Sequence, residues 1–191
     1  MQDVTPTLEG LDTDELDRDP SPIVAIDGAH NVIYVNEAWH AFARDNGARS
    51  GADDGVIGSS WDAAIPSALA PAFAALFAQA RRDRMAGFDY ECSSPTVRRV
   101  FHMTVYPRKD DGVLMIHSLR VSEPHPGPAM PALESQYRPA GGAIVMCMHC
   151  RRTRRVDDGH WDWVPSWVAR MPDGVSHGLC APCMEHFFPA A

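Results

Sequence analysis

The amino-acid sequence has little positive charge and no long apolar run. Its 17 Lys and Arg residues are outnumbered by 25 Asp and Glu residues, which gives a net charge of −8. A chain this acidic is a poor match for nucleic acid or for an anionic membrane surface. No window approaches the ~20 apolar residues of a membrane-spanning helix, and residues 1–4 do not begin a signal peptide. We therefore expect a cytoplasmic protein that does not bind membranes.

Signatures of catalysis are absent as well. The chain contains no Gly-rich phosphate loop, no Gly-x-Ser-x-Gly elbow and no kinase or cyclase signature. We therefore expect a binding protein rather than an enzyme. Apolar residues make up 45% of the sequence, which is enough for a hydrophobic core. The length of 191 residues suits one domain of ordinary size and a small one.

Cysteine is scarce outside the C-terminal region. Of the 5 cysteines, only Cys92 precedes residue 147. We interpret Cys92 as a small apolar residue at the end of a strand, and a redox-sensing thiol is the alternative.

The other cysteines form two Cys-x-x-Cys pairs, Cys147 with Cys150 and Cys180 with Cys183. Two thiolates three positions apart can hold one metal ion from a single tight turn, and two such turns complete the tetrahedron that structural zinc prefers. In a reducing compartment this pattern is more typical of metal ligands than of disulfides. We predict that all four are ligands of a closed zinc site. Disulfides, free thiols, or a redox sensor in which oxidation releases the zinc are the alternatives.

Two histidines and a group of apolar residues accompany these pairs. We expect each of His149 and His177 to be either a hydrogen-bond partner of a metal ligand or a surface imidazole. The alternative is that one of them replaces a cysteine as a ligand. A small core is predicted between the pairs, formed by Trp161, Trp163, Trp167 and Val168. Because so small a core buries little surface, metal binding should contribute much of the folding free energy of this region.

A basic run, Arg151-Arg152-Thr153-Arg154-Arg155, follows the first pair. Basic residues on a zinc module indicate a DNA-binding regulator as one hypothesis. The acidity of the whole chain and the adjoining Asp157-Asp158 favour instead a solvated face or a contact with an acidic partner.

The N-terminal part of the chain begins with an acidic segment and continues with signals for a hairpin. We interpret residues 1–20 as a solvated lead-in or a short cap, and a docking segment is the alternative. Apolar residues 23–26 and 32–35 flank an Asp-Gly turn and predict two paired strands. Asn36 then predicts the N-cap of a helix that ends near residues 46–47.

A second helix and three strands are predicted after this hairpin. Apolar residues recur at steps of three and four, which predicts a helix over residues 67–82 with Ser67 as its N-cap. The strands are predicted over residues 88–92, 100–106 and 113–121. This order favours an α+β fold in which helices cross one face of a five-stranded antiparallel sheet.

These features resemble a PAS domain. The stretch SPIVAIDGAHNVIYVNEAWHAFARDNG is similar to the start of many bacterial sensory PAS domains, and FDYECSSPTVRRVFHMTVYP with VLMIHSLR is similar to the strands of a subgroup of them. The resemblance covers about residues 21–121 and implies a cavity between sheet and helices that takes a small ligand. It also implies that two copies pair through an N-terminal segment and the exposed sheet face.

The residues that could line the implied cavity are mostly aromatic: Trp39, Phe42, Trp61, Phe73, Phe77, Phe101, Met103, His102 and His117. Of these, His102 and His117 could ligate haem iron from the predicted strands. In haem-binding PAS sensors, however, the proximal histidine typically comes from the long helix before the third strand, and residues 67–82 contain no histidine. Flavin is not favoured either, because the sequence has no Gly-x-Asn-Cys-Arg-Phe stretch.

Residues 122–141 are rich in proline and predict an interdomain linker. Beyond it, IVMCMHCRRTRRVDDGHWDWVPSWV and VSHGLCAPCMEHFFP resemble the small cysteine module attached to PAS and response-regulator proteins in bacteria. The matching residues are the two cysteine pairs, Asp158 to Trp161, Val164 and Ser176 to Gly178. This resemblance implies a zinc module over residues 142–191.

Together these features predict a sensor or adaptor in signal transduction. Its PAS-like domain would sense a small ligand or contact an unidentified signalling protein, and two chains would pair as a homodimer. Zinc is the one cofactor predicted, whereas haem and flavin are not favoured. The thiol redox sensor and the DNA-binding regulator remain the alternatives.

Overall fold

The structure is a computed structural model that describes residues 11–46 and 55–189. Residues 1–10 of the predicted acidic segment lie outside the described residues. Two compact units divide the chain: the first unit comprises Met1–Phe88 and His102–Ser118, and the second unit comprises Asp89–Phe101 and Leu119–Ala191. No helix among the described residues is both long enough and apolar enough to span a membrane.

Helices and a five-stranded sheet make up the fold before residue 125. The elements in chain order are α1 (Thr13–Arg18), β1 (Ile23–Ile26), β2 (Val32–Val35), α2 (Glu37–Asp45), α3 (Trp61–Ala64), α4 (Ala70–Asp83), β3 (Ala86–Glu91), β4 (Val97–Pro107) and β5 (Val113–Pro124). The strands form a sheet in the order β2-β1-β5-β4-β3. The predicted α+β fold with a five-stranded antiparallel sheet is confirmed, and β3 to β5 differ from the predicted strands only at their ends.

The hairpin of β1 and β2 is held by its Asp-Gly turn. The two strands pair antiparallel, with Val24 opposite Val35. In the turn, Oδ1 of Asp27 accepts the backbone N–H groups of Ala29 at 2.9 Å and Asn31 at 2.8 Å. The hydrogen bond from the Asn31 backbone is the main reason why the pKa of the Asp27 carboxyl is lowered. The predicted hairpin thus forms because the Asp27 side chain accepts hydrogen bonds from the backbone N–H groups of its own turn.

Asn36 is the N-cap of α2, as predicted, and it is fully buried. Its Oδ1 accepts the N–H groups of Trp39 at 3.0 Å and Ile23 at 2.9 Å. Its Nδ2 donates to the carbonyl oxygens of Leu16 and Ser21, both at 3.0 Å. One side chain therefore joins the start of α2 to β1 and to the chain that follows α1.

The long helix α4 begins later than the sequence predicts. Residues 67–69 form a 3₁₀ turn, and α4 starts at Ala70 without a side-chain N-cap. The predicted cap by Ser67 is therefore wrong. Pro71 lies in the first turn of α4 and has no N–H, so one of the donors that a cap would satisfy does not exist. The apolar face of the helix is as predicted, with Leu76, Phe77 and Ala80 buried.

The segment around α1 packs on one face of the sheet. The cluster on that face consists of buried Ile23, Ala25 and Leu114, with Leu11 and Leu16 packed against it. Of the two interpretations of the acidic segment, its described half is therefore a cap rather than a solvated lead-in.

The second unit contains a smaller sheet and three short helices. These elements are α5 (Glu134–Tyr137), β6 (Ile144–Cys147), β7 (Thr153–Arg154), β8 (Trp161–Asp162), α6 (Pro165–Ala169), β9 (Val175–Gly178) and α7 (Ala181–Phe187). The sheet order is β8-β7-β6-β9, with β6 and β9 parallel and the other pairs antiparallel. Its apolar core is formed by Tyr137, Ile144, Met146, Val164 and Trp167.

The tryptophans predicted as the core of this region are buried or packed as expected. Trp163, Trp167 and Val168 are buried. Trp161 is partly buried and packs against the four cysteines. The prediction missed Tyr137, Ile144 and Met146, because they precede the first cysteine pair and have no periodic pattern of their own.

Part of the region predicted as a linker is folded. Within residues 122–141, Tyr137 is only 1% exposed, and its hydroxyl donates to Oδ2 of Asp162 at 2.8 Å. Ala129 forms a parallel bridge with Trp163. A proline-rich composition indicates an extended chain, but it does not reveal partners that the chain meets only after folding.

Candidate metal centre

The sulfur atoms of Cys147, Cys150, Cys180 and Cys183 lie within 4.8 Å of one another. All four cysteines are free thiols and buried, with between 1% and 7% of each residue exposed. A tetrahedron of sulfurs around zinc has edges of about 3.8 Å, given Zn–S bonds of about 2.3 Å. The sulfurs of Cys150 and Cys180 are 3.6 Å apart, so this arrangement fits a tetrahedral metal ion.

The parallel pairing of β6 with β9 brings the two cysteine pairs together. Cys147 ends β6 and lies opposite Gly178 of β9, two residues before Cys180. The turn after Cys147 closes when its carbonyl oxygen accepts the N–H of Arg151 at 3.0 Å, and Arg151 has a positive φ of 62°. The second pair flanks the start of α7: Cys180 precedes this helix and Cys183 lies in its first turn.

Four neighbouring thiols cannot all ionise without a cation. Hydrogen bonds from Cys150 and then from Cys180 and Cys183 hold the pKa of the Cys147 thiol far below its usual range. The pKa values of Cys150 and Cys183 are raised, in both cases first by the side-chain hydrogen bond with Cys147. A divalent cation would remove this conflict by balancing the charge of the thiolates.

His149 contacts a cysteine of the other pair. Its Nδ1 lies 3.2 Å from the sulfur of Cys183, and its Nε2 lies 3.2 Å from the backbone nitrogen of Glu91. His149 therefore contacts one of the four cysteines that are predicted to be ligands. His177 is exposed on β9 and is a surface imidazole. Nothing in the sequence near Glu91 marks it as a neighbour of the first pair.

The basic run is partly neutralised by acidic side chains of the second unit. Nη1 of Arg152 lies 3.6 Å from Oε2 of Glu91. Arg155 Nη2 donates to Oδ1 of Asp162 at 3.1 Å. Arg151 and Arg154 are exposed. Two of the four arginines are thus engaged within the unit.

A groove of about 490 Å³ lies beside the four clustered cysteines. Its lining includes Arg152, Trp161 and Cys180. Burial alone would lower the pKa of Arg152, but the neighbouring Cys150 and Glu91 raise it overall. A fixed positive charge therefore lies close to the cysteine sulfurs.

Aromatic residues predicted to line a cavity form a cluster in the first unit. Phe73 makes ring contacts with Trp61 and Phe77, both at 6.2 Å between centroids. Phe88 also joins Phe73 at 5.9 Å and was not predicted. The one sequence feature that pointed to Phe88 was its position at the start of the third predicted strand, residues 88–92. Two further aromatic candidates, Trp39 and Phe42, lie on α2 and are partly buried.

The candidates on β4 and β5 do not all share one environment. Along β4, Phe101 and Met103 are buried at alternate positions, so His102 points to the opposite face of the sheet. Phe101 belongs to the second unit, where it stacks on Tyr90 at 5.7 Å. On β5, burial lowers the pKa of His117 from 6.5 to about 4, which keeps this imidazole neutral at pH 7.

Cys92 lies apart from the four clustered cysteines in the sequence and has a different electrostatic character. Burial raises the pKa of its thiol, although Arg99 and Arg151 act in the opposite direction. A protonated, partly buried thiol is a weak nucleophile. These properties match the interpretation of Cys92 as a small apolar residue.

Comparisons with known proteins find weak similarities to solved structures. No protein-family model matches the chain, and no curated protein matches it. Among solved structures, the chain is similar to the photoactive yellow protein domain from the sensor histidine kinase Ppr of Rhodospirillum centenum. The identity is 18%, the TM-score 0.38, and the match covers 61% of this chain and 98% of that chain.

A second similar structure is a domain of an HTR-like protein from Haloarcula marismortui ATCC 43049. Here the identity is 19%, the TM-score 0.37, and the match covers 54% of this chain and 100% of that chain. Similarity at this level identifies neither a ligand nor a partner for the present chain.

Proposed function

We propose that the second unit binds one zinc ion through Cys147, Cys150, Cys180 and Cys183. The observation that carries this proposal is the burial of four free thiols whose sulfurs all lie within 4.8 Å. Four protein thiolates leave no position for water or substrate, so the ion would be structural rather than catalytic. Its binding would contribute to the folding free energy of the second unit. The residues on the chain would hold the ion between the turn after β6 and the start of α7.

We further propose that residues 21–121 are a PAS-type sensory domain and that the chain acts as a sensor or adaptor in signal transduction. The proposal is supported by the sequence resemblance over residues 21–121 and by the α+β fold with its five-stranded antiparallel sheet. The aromatic cluster around Phe73 is the candidate contact for a small apolar ligand. The role is one of binding, and the output would pass to an unidentified signalling protein.

One experiment tests the proposed metal site and the proposed class of ligand. The full chain is purified without chelators, and its zinc content and its absorption spectrum from 300 to 700 nm are measured. We expect about one zinc ion per chain and no haem or flavin band. A chain with intact disulfides and no zinc would contradict the metal site, whereas a haem or flavin spectrum would replace the proposed ligand class.

A redox role of the same site is the second candidate function. It is favoured by the groove that Cys180 lines together with the charged Arg152. Two of the four thiolates would give two electrons to hydrogen peroxide entering there: an S–S bond would form, the O–O bond would break, and two protons from solvent would let both oxygens leave as water. The disulfide would take two ligands from the ion and so favour its release. Rapid zinc release under mild peroxide, reversed by a thiol reductant and accompanied by a change in oligomeric state, would support this candidate over a purely structural ion.

DNA binding through the basic run is not the function that these contacts favour. Arg152 and Arg155 are engaged by Glu91 and Asp162, so only part of the run is available to phosphates. The net charge of −8 also opposes association with a polyanion.

A further inference from the structure

The end of strand β3 carries a backbone donor that faces the open edge of the sheet. β3 is the last strand in the order β2-β1-β5-β4-β3. The N–H of Cys92 points towards β4, where it donates to the carbonyl of Arg99 at 3.0 Å. Since neighbouring residues alternate in direction, the N–H of Glu91 points away from β4. It donates to Nε2 of His149 at 3.2 Å.

This hydrogen bond determines which nitrogen of His149 carries the proton. Nε2 accepts the N–H of Glu91, so in the neutral ring the proton lies on Nδ1. Nδ1 is 3.2 Å from the sulfur of Cys183 and donates to it. The ring is also packed edge-to-face against Phe187 of α7, with 4.8 Å between centroids. Its orientation is therefore fixed from both sides.

Glu91 makes a second contact with the loop that carries the first cysteine pair. Its Oε2 lies 3.6 Å from Nη1 of Arg152. Its Oε1 accepts the hydroxyl of Ser93 at 2.9 Å, and the same hydroxyl oxygen accepts the N–H of Arg99 at 3.2 Å. Both the backbone and the side chain of Glu91 are thus held where His149 and Arg152 meet the end of β3.

We propose that His149 is a positioning residue that couples the metal centre to the end of β3. On one side it stabilises the thiolate of Cys183, and on the other it holds the N–H of Glu91. Metal binding and order at Glu91 then strengthen each other, because a coupling between two sites acts in both directions. This inference rests on the proposed zinc site. It gives His149 a role that the four ligands alone do not have, because His149 connects the ion to the end of β3.

Two conservative variants separate the two hydrogen bonds. The amide nitrogen of asparagine occupies about the position of Nδ1, so His149→Asn can keep the donor to Cys183 and lose the acceptor for Glu91. The amide oxygen of glutamine reaches about the position of Nε2, so His149→Gln can keep the acceptor and lose the donor. His149→Ala loses both, and His177→Ala, which removes an exposed imidazole beside the other pair, is the matched control.

Two readouts follow the two bonds in the full chain. With Co²⁺ in place of zinc, the thiolate-to-metal charge-transfer band reports the environment of Cys183, and a competition titration gives the affinity. Hydrogen exchange of the Glu91 amide reports the bond at β3. We expect His149→Ala to lower Co²⁺ affinity by about 10- to 100-fold, to shift the band and to speed the exchange of Glu91.

The conservative variants should divide these effects. His149→Asn should restore the Co²⁺ band while Glu91 still exchanges fast, and His149→Gln should do the reverse. Removal of the metal from the wild-type chain should also speed Glu91 exchange. Unchanged affinity, band and exchange in His149→Ala, or Glu91 exchange that ignores metal removal, would overturn the inference. A wild-type chain that binds neither Co²⁺ nor zinc would instead contradict the proposed site, so the two failures are distinguishable.

Discussion

Tyr137 donates a hydrogen bond from its hydroxyl to Oδ2 of Asp162 at 2.8 Å. Only 1% of Tyr137 and 6% of Asp162 are exposed. Arg155 donates to the same carboxylate, so the charge of Asp162 is paired as well as hydrogen-bonded. The tyrosine thereby ties the proline-rich stretch before it to the small sheet of the second unit.

Replacing Tyr137 by Phe should destabilise the second unit. Loss of the hydroxyl leaves a buried carboxylate oxygen with one donor fewer, which costs about 1–3 kcal/mol. Urea unfolding followed by tryptophan fluorescence measures the change. The control is Glu134→Ala on the same helix, which removes an exposed ion pair with Arg138 and should cost less than about 1 kcal/mol. Equal losses of unfolding free energy in the two variants would contradict a stabilising role of the buried hydrogen bond.

Asn36 offers a test of the first unit. The Asn36→Ala variant loses the N-cap of α2 and leaves the N–H of buried Ile23 without its acceptor. We expect the free energy of unfolding to fall by about 2–4 kcal/mol. Asn36→Asp keeps both acceptor contacts but loses the donors to Leu16 and Ser21. We expect Asn36→Asp to lower the free energy of unfolding and to speed hydrogen exchange around α1. An Asn36→Ala variant as stable as wild type would contradict this role.

These two residues show what the sequence could predict and what it could not. The N-cap at Asn36, the Asp-Gly hairpin turn and the two cysteine pairs are local patterns, in which residues a few positions apart determine the geometry. The contacts of Tyr137 with Asp162 and of Glu91 with His149 join residues 25 and 58 positions apart. No periodicity encodes such pairs, since they depend on how the strands of each sheet are ordered.

The cavity residues illustrate the same limit. Among the aromatic residues predicted to line the cavity, Trp61 on α3 and Phe77 on α4 both contact Phe73. His102 and Met103 were predicted to line the same cavity, although neighbours on a strand point to opposite faces. Phe101 was predicted to line it as well and stacks on Tyr90 of the second unit.

His117 gives the chain a specific dependence on pH. Burial lowers its pKa from 6.5 to about 4, so below pH 6.5 the unfolded chain takes up a proton that the folded chain does not. Stability is therefore lost as the pH falls from about 6.5 towards 4. Between pH 7 and pH 5, wild type should lose at most about 2 kcal/mol more than His117→Leu.

Urea titrations of both proteins at the two pH values measure this difference. Groups other than His117 contribute equally to both proteins, so the comparison isolates its proton. His117→Gln serves as a second variant if the leucine side chain disturbs β5. Parallel pH dependences of wild type and both variants would contradict the assignment.

Self-association is proposed from the resemblance to PAS domains, and sedimentation of the full chain tests it. At tens of micromolar we expect a dimer, and we expect the dimer to weaken when residues 1–20 are removed. The Asn36→Asp variant is a useful comparison, because it loosens the attachment of the chain after α1 without deleting it. A monomer at every accessible concentration would contradict the proposal.

Zinc content per chain is the most direct test of the account. Elemental analysis of the full wild-type chain should give about one zinc ion, and Cys180→Ser should lose the ion and unfold residues 142–191 while residues 21–121 keep their secondary structure. Thiol titration of the metal-free chain should then find all 5 cysteines reduced. A wild-type chain that contains no zinc and holds its four clustered cysteines in two disulfides would contradict the account.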